Sequence, residues 1–173
     1  MHQYSNTLDL SSPRVLERFE EAISRTKVYD RYLPHEMRVL DIGSGVGLPA
    51  VPIAIRRPDI NLVLCEIRKR RAAFLERAVS SLNLTKARVY NGDVQQLEIA
   101  PFDTVIAQAV GRLEHTYAIS QHLLKPSWTM LTIKGATLDQ EIEELIDIAG
   151  ALGIEKVPLD DDTTLVVIHG GDS

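Results

Sequence analysis

The stretch that decides the fold reads Arg38-Val39-Leu40-Asp41-Ile42-Gly43-Ser44-Gly45-Val46-Gly47-Leu48. Its first five residues are too few for a helix, largely apolar and closed by glycine, so they read as a buried strand. Glycines at alternate positions then allow a tight turn and leave room beside the backbone for a ligand. Leu48 to Arg57 follows as a helix despite Pro49 and Pro52, because prolines in a first turn forfeit only N–H groups that lack partners anyway. Strand, glycine turn and helix in that order open an α/β unit, whose crevice lies beyond the carboxyl end of the strand.

Outward from this unit the alternation continues in both directions. Ser12 and Pro13 start an N-terminal helix with Val15, Leu16, Phe19, Ala22 and Ile23 at helical spacing, and Leu33-Pro34 breaks the segment. Downstream the pattern predicts a strand from Ile60 to Cys65, a helix from Arg68 to Leu82, and strands from Ala87 to Asn91 and Thr104 to Ala107. A helix from Glu114 to Leu124, a strand from Thr129 to Lys134 and a helix from Leu138 to Leu152 come next. In that last helix Leu138, Ile142, Leu145, Ala149 and Leu152 form the packing stripe, and Asp139, Glu141, Glu143, Glu144 and Asp147 are expected in water. Strands from Ile154 to Leu159 and Thr163 to Ile168, joined by Asp160-Asp161-Asp162, form a hairpin at the antiparallel edge of a mainly parallel seven-stranded sheet. The whole is a three-layer α/β sandwich in one domain over residues 1–173, with a helical segment 1–35 ahead of a core 36–173.

Composition agrees with one globular domain: 173 residues, 45% hydrophobic, 25% charged. A single cysteine, Cys65, excludes an internal disulfide and a cysteine-based zinc finger, and is expected in the core. No apolar run reaches the roughly 18 residues of a membrane span, and Met1 to Ser12 lack the features of a secretory signal, so a cytoplasmic protein without membrane contact is expected. The formal charge of −5 is unevenly placed. Nine basic residues against three acids between Arg56 and Arg88 predict a basic side that a polyanion would approach, while Asp139 to Asp162 holds nine acids and one lysine.

The glycine spacing narrows the ligand. A dinucleotide fingerprint would need a third glycine at Leu48, and no Gly-Lys-Ser/Thr ends the loop as in a P-loop. Gly-x-Gly-x-Gly after an acid resembles the loop of S-adenosylmethionine (SAM) methyltransferases. Glu66, nineteen residues after Gly47, can accept from two ribose hydroxyls, and Asp93 of Asn91-Gly92-Asp93 from an adenine amino group. His115 and His122 lack a third nearby ligand, so no metal is expected; Tyr117 and Trp128 are expected in the core.

At family level, Asp41 to Pro49 with Pro52 and Arg57-Pro58 resembles the DVGSGxGLPGIPLAIxRP block of the glucose-inhibited division protein B (RsmG) family. Leu64 to Arg70 is similar to its LLDSxxKR, Phe102 to Ile106 to its FDxVxSRA strand, Ile133-Lys134-Gly135 to its LKG strand end, and Leu165 to Ile168 to its closing strand. The resemblance covers about residues 38–170. It implies a Rossmann-like class I fold and SAM-dependent methylation of guanine N7 in small-subunit (16S) ribosomal RNA. N7 has an in-plane lone pair and no proton to lose, so no general base is required. It assigns the cofactor to Asp41, Gly43, Ser44, Gly45, Gly47, Leu48, Glu66, Ile67, Asp93, Val94 and Gln108, and the transfer site to Lys134 and Arg112. Lys134 would hold a phosphate or a substrate carbonyl; it could equally be a solvated strand end. Ribosomal RNA or the small subunit would be met by Arg56, Arg57, Arg68, Lys69, Arg70 and Arg71 of a monomer.

Three features depart from the family pattern. Ala107-Gln108-Ala109 replaces Ser-Arg-Ala, with Arg112 a substitute for the missing cation; Ala50 stands where a glycine is usual; and the N-terminal helical part is several dozen residues shorter. A small-molecule methyltransferase and a non-catalytic SAM-binding module therefore stay open as alternatives.

Overall fold

The computed structural model describes residues 13–108 and 110–171. Its twelve regular elements are α1 (Pro13–Arg25), β1 (Arg38–Ile42), α2 (Ala50–Arg56), β2 (Asn61–Cys65), α3 (Lys69–Ser81), β3 (Ala87–Tyr90), β4 (Phe102–Ala107), α4 (Leu113–Ser120), β5 (Leu124–Lys134), α5 (Leu138–Ala149), β6 (Gly153–Pro158) and β7 (Thr164–Gly170). The strands form one sheet in the order β3-β2-β1-β4-β5-β7-β6, with β7 antiparallel to both its neighbours and the other pairings parallel. The expected class, strand number and antiparallel end all hold.

Alternation along the strands explains the three layers. Val39, Leu62, Leu64, Ile106 and Leu131 face a cluster with Ile53 of α2 and Leu75 of α3, while Leu40, Ile42, Val105 and Ala107 face the opposite side. There Leu113 of α4 and Leu138, Ile142 and Leu145 of α5 pack on Met130, Val166 and Ile168. Cys65 and Trp128 are core residues, and burial pushes the Cys65 thiol up to about 12. The Trp128 and Tyr117 rings lie 5.5 Å apart.

Most helix ends shift from the sequence reading, and three shifts have a clear local cause. Helix α2 starts at Ala50, with Pro49 as its cap residue, rather than at Leu48. Helix α4 stops at Ser120, and after a short 3-10 turn Leu124 already pairs with Phe102; β5 absorbs Pro126 where its register shifts. Helix α5 ends at Ala149 because Gly150 takes φ +79°.

Ahead of β1, Thr26–Tyr32 form a 3-10 segment with Tyr29 and Thr26 buried. Polar side chains fasten it to three parts of the core. Arg56 reaches Asp30 (2.7 Å) and the Thr26 hydroxyl (3.0 Å), Arg57 reaches the carbonyls of Leu33 and Pro34, and the Tyr32 hydroxyl donates to Glu155 at 2.6 Å. Arg25 at the end of α1 pairs with Asp160 and donates to the Thr163 hydroxyl at 2.9 Å. No described helix is long and apolar enough to cross a membrane.

Candidate functional site

Strand β1 has parallel neighbours on both sides, β2 and β4, and the chain leaves β1 and β4 toward opposite faces of the sheet. Such a switch point opens a crevice above the strand ends. Gly43, Gly45 and Gly47 occupy it with φ of +70°, +56° and +89°, a region in which a side chain would be strained. The loop is held down from β2: Gly43 N and Ser44 N both donate to the Cys65 carbonyl, at 2.8 and 3.1 Å. A Cβ on Gly43 would stand 3.2 Å from Val110, whereas one on Gly45 would meet no other side chain closer than the Arg71 guanidinium at 4.0 Å. The open side of the loop is thus over Gly45.

Two carboxylates frame it. Asp41 is 1% exposed, and its Oδ2 has no hydrogen-bond partner. Burial, with the Glu66 charge adding to it, raises its pKa to about 7 even though the Ser44 hydroxyl works the other way. Ser44 Oγ also donates to the Asp41 carbonyl, at 3.0 Å. Glu66, 3% exposed, accepts from Gly45 N at 2.9 Å and from Arg68 N at 2.7 Å. A carboxylate has about four acceptor positions, so one remains on each oxygen. A cationic ligand with hydroxyl donors suits this pair, and SAM is such a ligand; the residues present fit it.

The remaining expected cofactor residues are placed unequally. Ile67 is two-thirds exposed on the rim. Asp93 caps a short turn by accepting from Gln95 N at 3.0 Å, with part of its surface open. Val94 turns inward and packs with Leu97 and Phe102, so its side chain belongs to the core and not to the crevice surface. Leu48 and Gln108 line a cavity of about 160 Å³ under the N-terminal segment, with Ala22, Arg25, Thr26 and Tyr29. Gln108 Nε2 donates to the Tyr29 hydroxyl at 2.7 Å, and burial raises the Tyr29 pKa far above that of a free phenol. Gln108, where the family has arginine, therefore anchors this segment.

Lys134 and Arg112, expected at the transfer site, are both engaged. Lys134 Nζ lies 2.8 Å from Glu141 and donates to the Gly111 carbonyl. Arg112 pairs with Glu144 and with Glu114 (3.1 Å), which leaves it little freedom to replace an arginine at position 108. Glu141 corrects the expectation of a wet residue, being 5% exposed. The pattern held a signal for this, since 138, 141, 142 and 145 share one helical stripe.

The basic side also needs correction. Arg56 and Arg57 are spent on Asp30, Asp59 and backbone carbonyls, because those acids and the N-terminal segment fold against the end of α2. Arg68, Lys69, Arg70 and Arg71 are exposed, and their side chains have no hydrogen-bond or ion-pair partner among the described residues. Of the six residues assigned to RNA these four remain, at the start of α3, with the Arg71 guanidinium nearest Gly45.

A family profile described as rRNA small subunit methyltransferase G matches residues 2–159. A protein from Mycolicibacterium gilvum named ribosomal RNA small subunit methyltransferase G is 34% identical over 156 residues, covering 87% of this chain and 68% of the relative. One of the same name from Mycobacterium marinum is 34% identical, covering 95% and 77%. Among solved structures, a SAM-dependent methyltransferase from Aquifex aeolicus superposes with TM-score 0.70 at 16% identity, over 93% of this chain and 95% of its own. The SAM-dependent methyltransferase SibL gives 0.71 at 14%, over 92% and 57%. These two share the fold.

Proposed function

The chain belongs to the rRNA small subunit methyltransferase G family, and from that premise we propose that it transfers a methyl group from SAM to N7 of a guanine in small-subunit (16S) ribosomal RNA. The observation that carries the reading is the crevice itself: an open glycine loop over Gly45 beside a buried, unpartnered Asp41 oxygen. SAM, when bound, supplies a methyl group on a sulfonium that is already a good leaving group.

The protein's part is alignment and exclusion of water. Gly43, Ser44, Gly45 and Gly47 give the cofactor a backbone bed, Asp41 attracts its positive charge, and the free lone pairs of Glu66 accept from its ribose. Asp93 borders the adenine with Ile67 as an apolar wall, and Leu48 lines the cavity beside Gln108. Gln108 holds the N-terminal segment over the crevice through Tyr29, and Lys134 and Arg112 position the loop after β4. Arg68, Lys69, Arg70 and Arg71 meet RNA phosphate. Four cations with no acid in the first turn oppose the dipole of α3, a cost that a bound polyanion relieves.

The test is to map modified bases in ribosomal RNA from cells with and without the protein. One guanine should lose its N7 methyl group when the protein is removed. Label passing from SAM to a small metabolite instead, with none to RNA, would overturn the RNA reading and leave the cofactor site intact.

A further inference from the structure

Lys134 and Glu141 lie on different elements, yet both reach the loop between β4 and α4. Glu141 Oε2 accepts from Leu113 N at 3.0 Å and sits 2.8 Å from Lys134 Nζ, which itself donates to the Gly111 carbonyl. Glu141 Oε1 accepts from the Thr137 hydroxyl at 2.7 Å. The pair thereby holds backbone groups on both sides of Arg112. Just ahead of Gly111, Val110 touches the glycine loop: its Cγ2 lies 3.2 Å from where a Cβ of Gly43 would stand. A continuous set of contacts runs from helix α5 to the floor of the crevice.

We propose that Glu141 is a positioning residue for the methyl-transfer site, acting through Lys134 to set the loop 110–113 against Gly43. Burying an ion pair is costly, and well-packed apolar residues would serve stability at least as well. What the pair adds is a fixed distance from α5 to two main-chain groups, the Gly111 carbonyl and the Leu113 amide. Both charges are largely withdrawn from solvent, so Lys134 acts on the loop and not on a phosphate. The catalytic half of this inference rests on the methyl-transfer reading above.

The experiment compares wild type with Glu141→Gln, Lys134→Met and Leu145→Ala, the last loosening the same helix from its buried side. Hydrogen exchange of the ligand-free protein reads the loop directly. Glu141→Gln and Lys134→Met should each speed exchange of the Leu113 amide, the one that Glu141 accepts, at least tenfold, and Leu145→Ala should not. With SAM and small-subunit RNA, the same two variants should lose tenfold or more in kcat with the Kd for SAM within threefold of wild type. Unchanged exchange in both variants, or the same exchange and kcat pattern in Leu145→Ala, overturns the proposal. An inactive wild type with the exchange pattern as expected would overturn the methyl-transfer reading and leave the loop contact standing.

Discussion

Arg56 and Arg57 at the end of α2 and Arg68 to Arg71 at the start of α3 carry the same charge and lie about a dozen residues apart, yet the fold uses them in opposite ways. The first two are saturated by Asp30, Asp59 and three backbone carbonyls. The other four face solvent, and the Arg71 guanidinium lies nearest the glycine loop. A parallel contrast separates two aspartates: the Arg57 guanidinium holds Asp59 well below the usual carboxylate range, while Asp41, without a partner on Oδ2, is pushed to about 7. Charges that the fold has satisfied stabilise it; charges left unsatisfied mark where a ligand is expected.

The contrast breaks most visibly in RNA binding. Arg68→Glu, Lys69→Glu and Arg70→Glu together should weaken binding about a hundredfold or more at low salt and flatten the log–log salt slope by roughly 2–3, as expected for three lost phosphate contacts. Their thermal midpoint should be at or a little above that of wild type, because acids at the start of α3 favour its dipole. Arg57→Ala should do the reverse, leaving the salt slope alone while depriving Asp59 of its main partner and the Leu33 and Pro34 carbonyls of theirs. That costs about 2–3 kcal/mol and lowers the midpoint in a scanning calorimeter by roughly 5–10 °C. An RNA defect in Arg57→Ala without a loss of stability would erase the distinction.

The aspartates sharpen it through pH. The folded state keeps a proton on Asp41 up to about 7 that the unfolded chain has already released, so Asp41 makes stability fall as pH rises toward 7. Asp41→Asn should accordingly be more stable than wild type at pH 8 in urea titrations. A cation binds the ionised form, so the affinity of wild type for SAM should rise about tenfold between pH 6 and 8, one pKa unit being worth about 1.4 kcal/mol. In Asp41→Asn the affinity should stay flat. For Asp59 the sign is opposite: its contribution is complete above the ordinary carboxylate range and fades only as pH falls below about 4. The smallest effect expected is the loss of this acid-side step in Arg57→Ala.

The order of elements was readable from residues 38–48 outward because apolar runs, glycines and helical spacing are local signals. Long-range partners were not. Nothing within a helical turn of Arg56 distinguishes it from Arg68; Asp30, 26 residues earlier, does. Glu141 falls in an apolar stripe, but an acid there is read as solvated until Lys134 is seen to arrive from β5. The glycine loop, Asp41 and Glu66 were legible as a site because strand ends fix where loops gather. Tyr29 and Val110, which shape that site from other elements, were not.

The anchorage of the N-terminal segment on Asp160, Thr163 and Glu155 also sets a timetable for biogenesis. Residues 25–32 are made early on the ribosome, but these three contacts cannot form until the last hairpin has been translated, some 120–140 codons later. The cavity wall facing Leu48 and Gln108 is consequently finished late, whatever the pace at which β1 and its glycines fold.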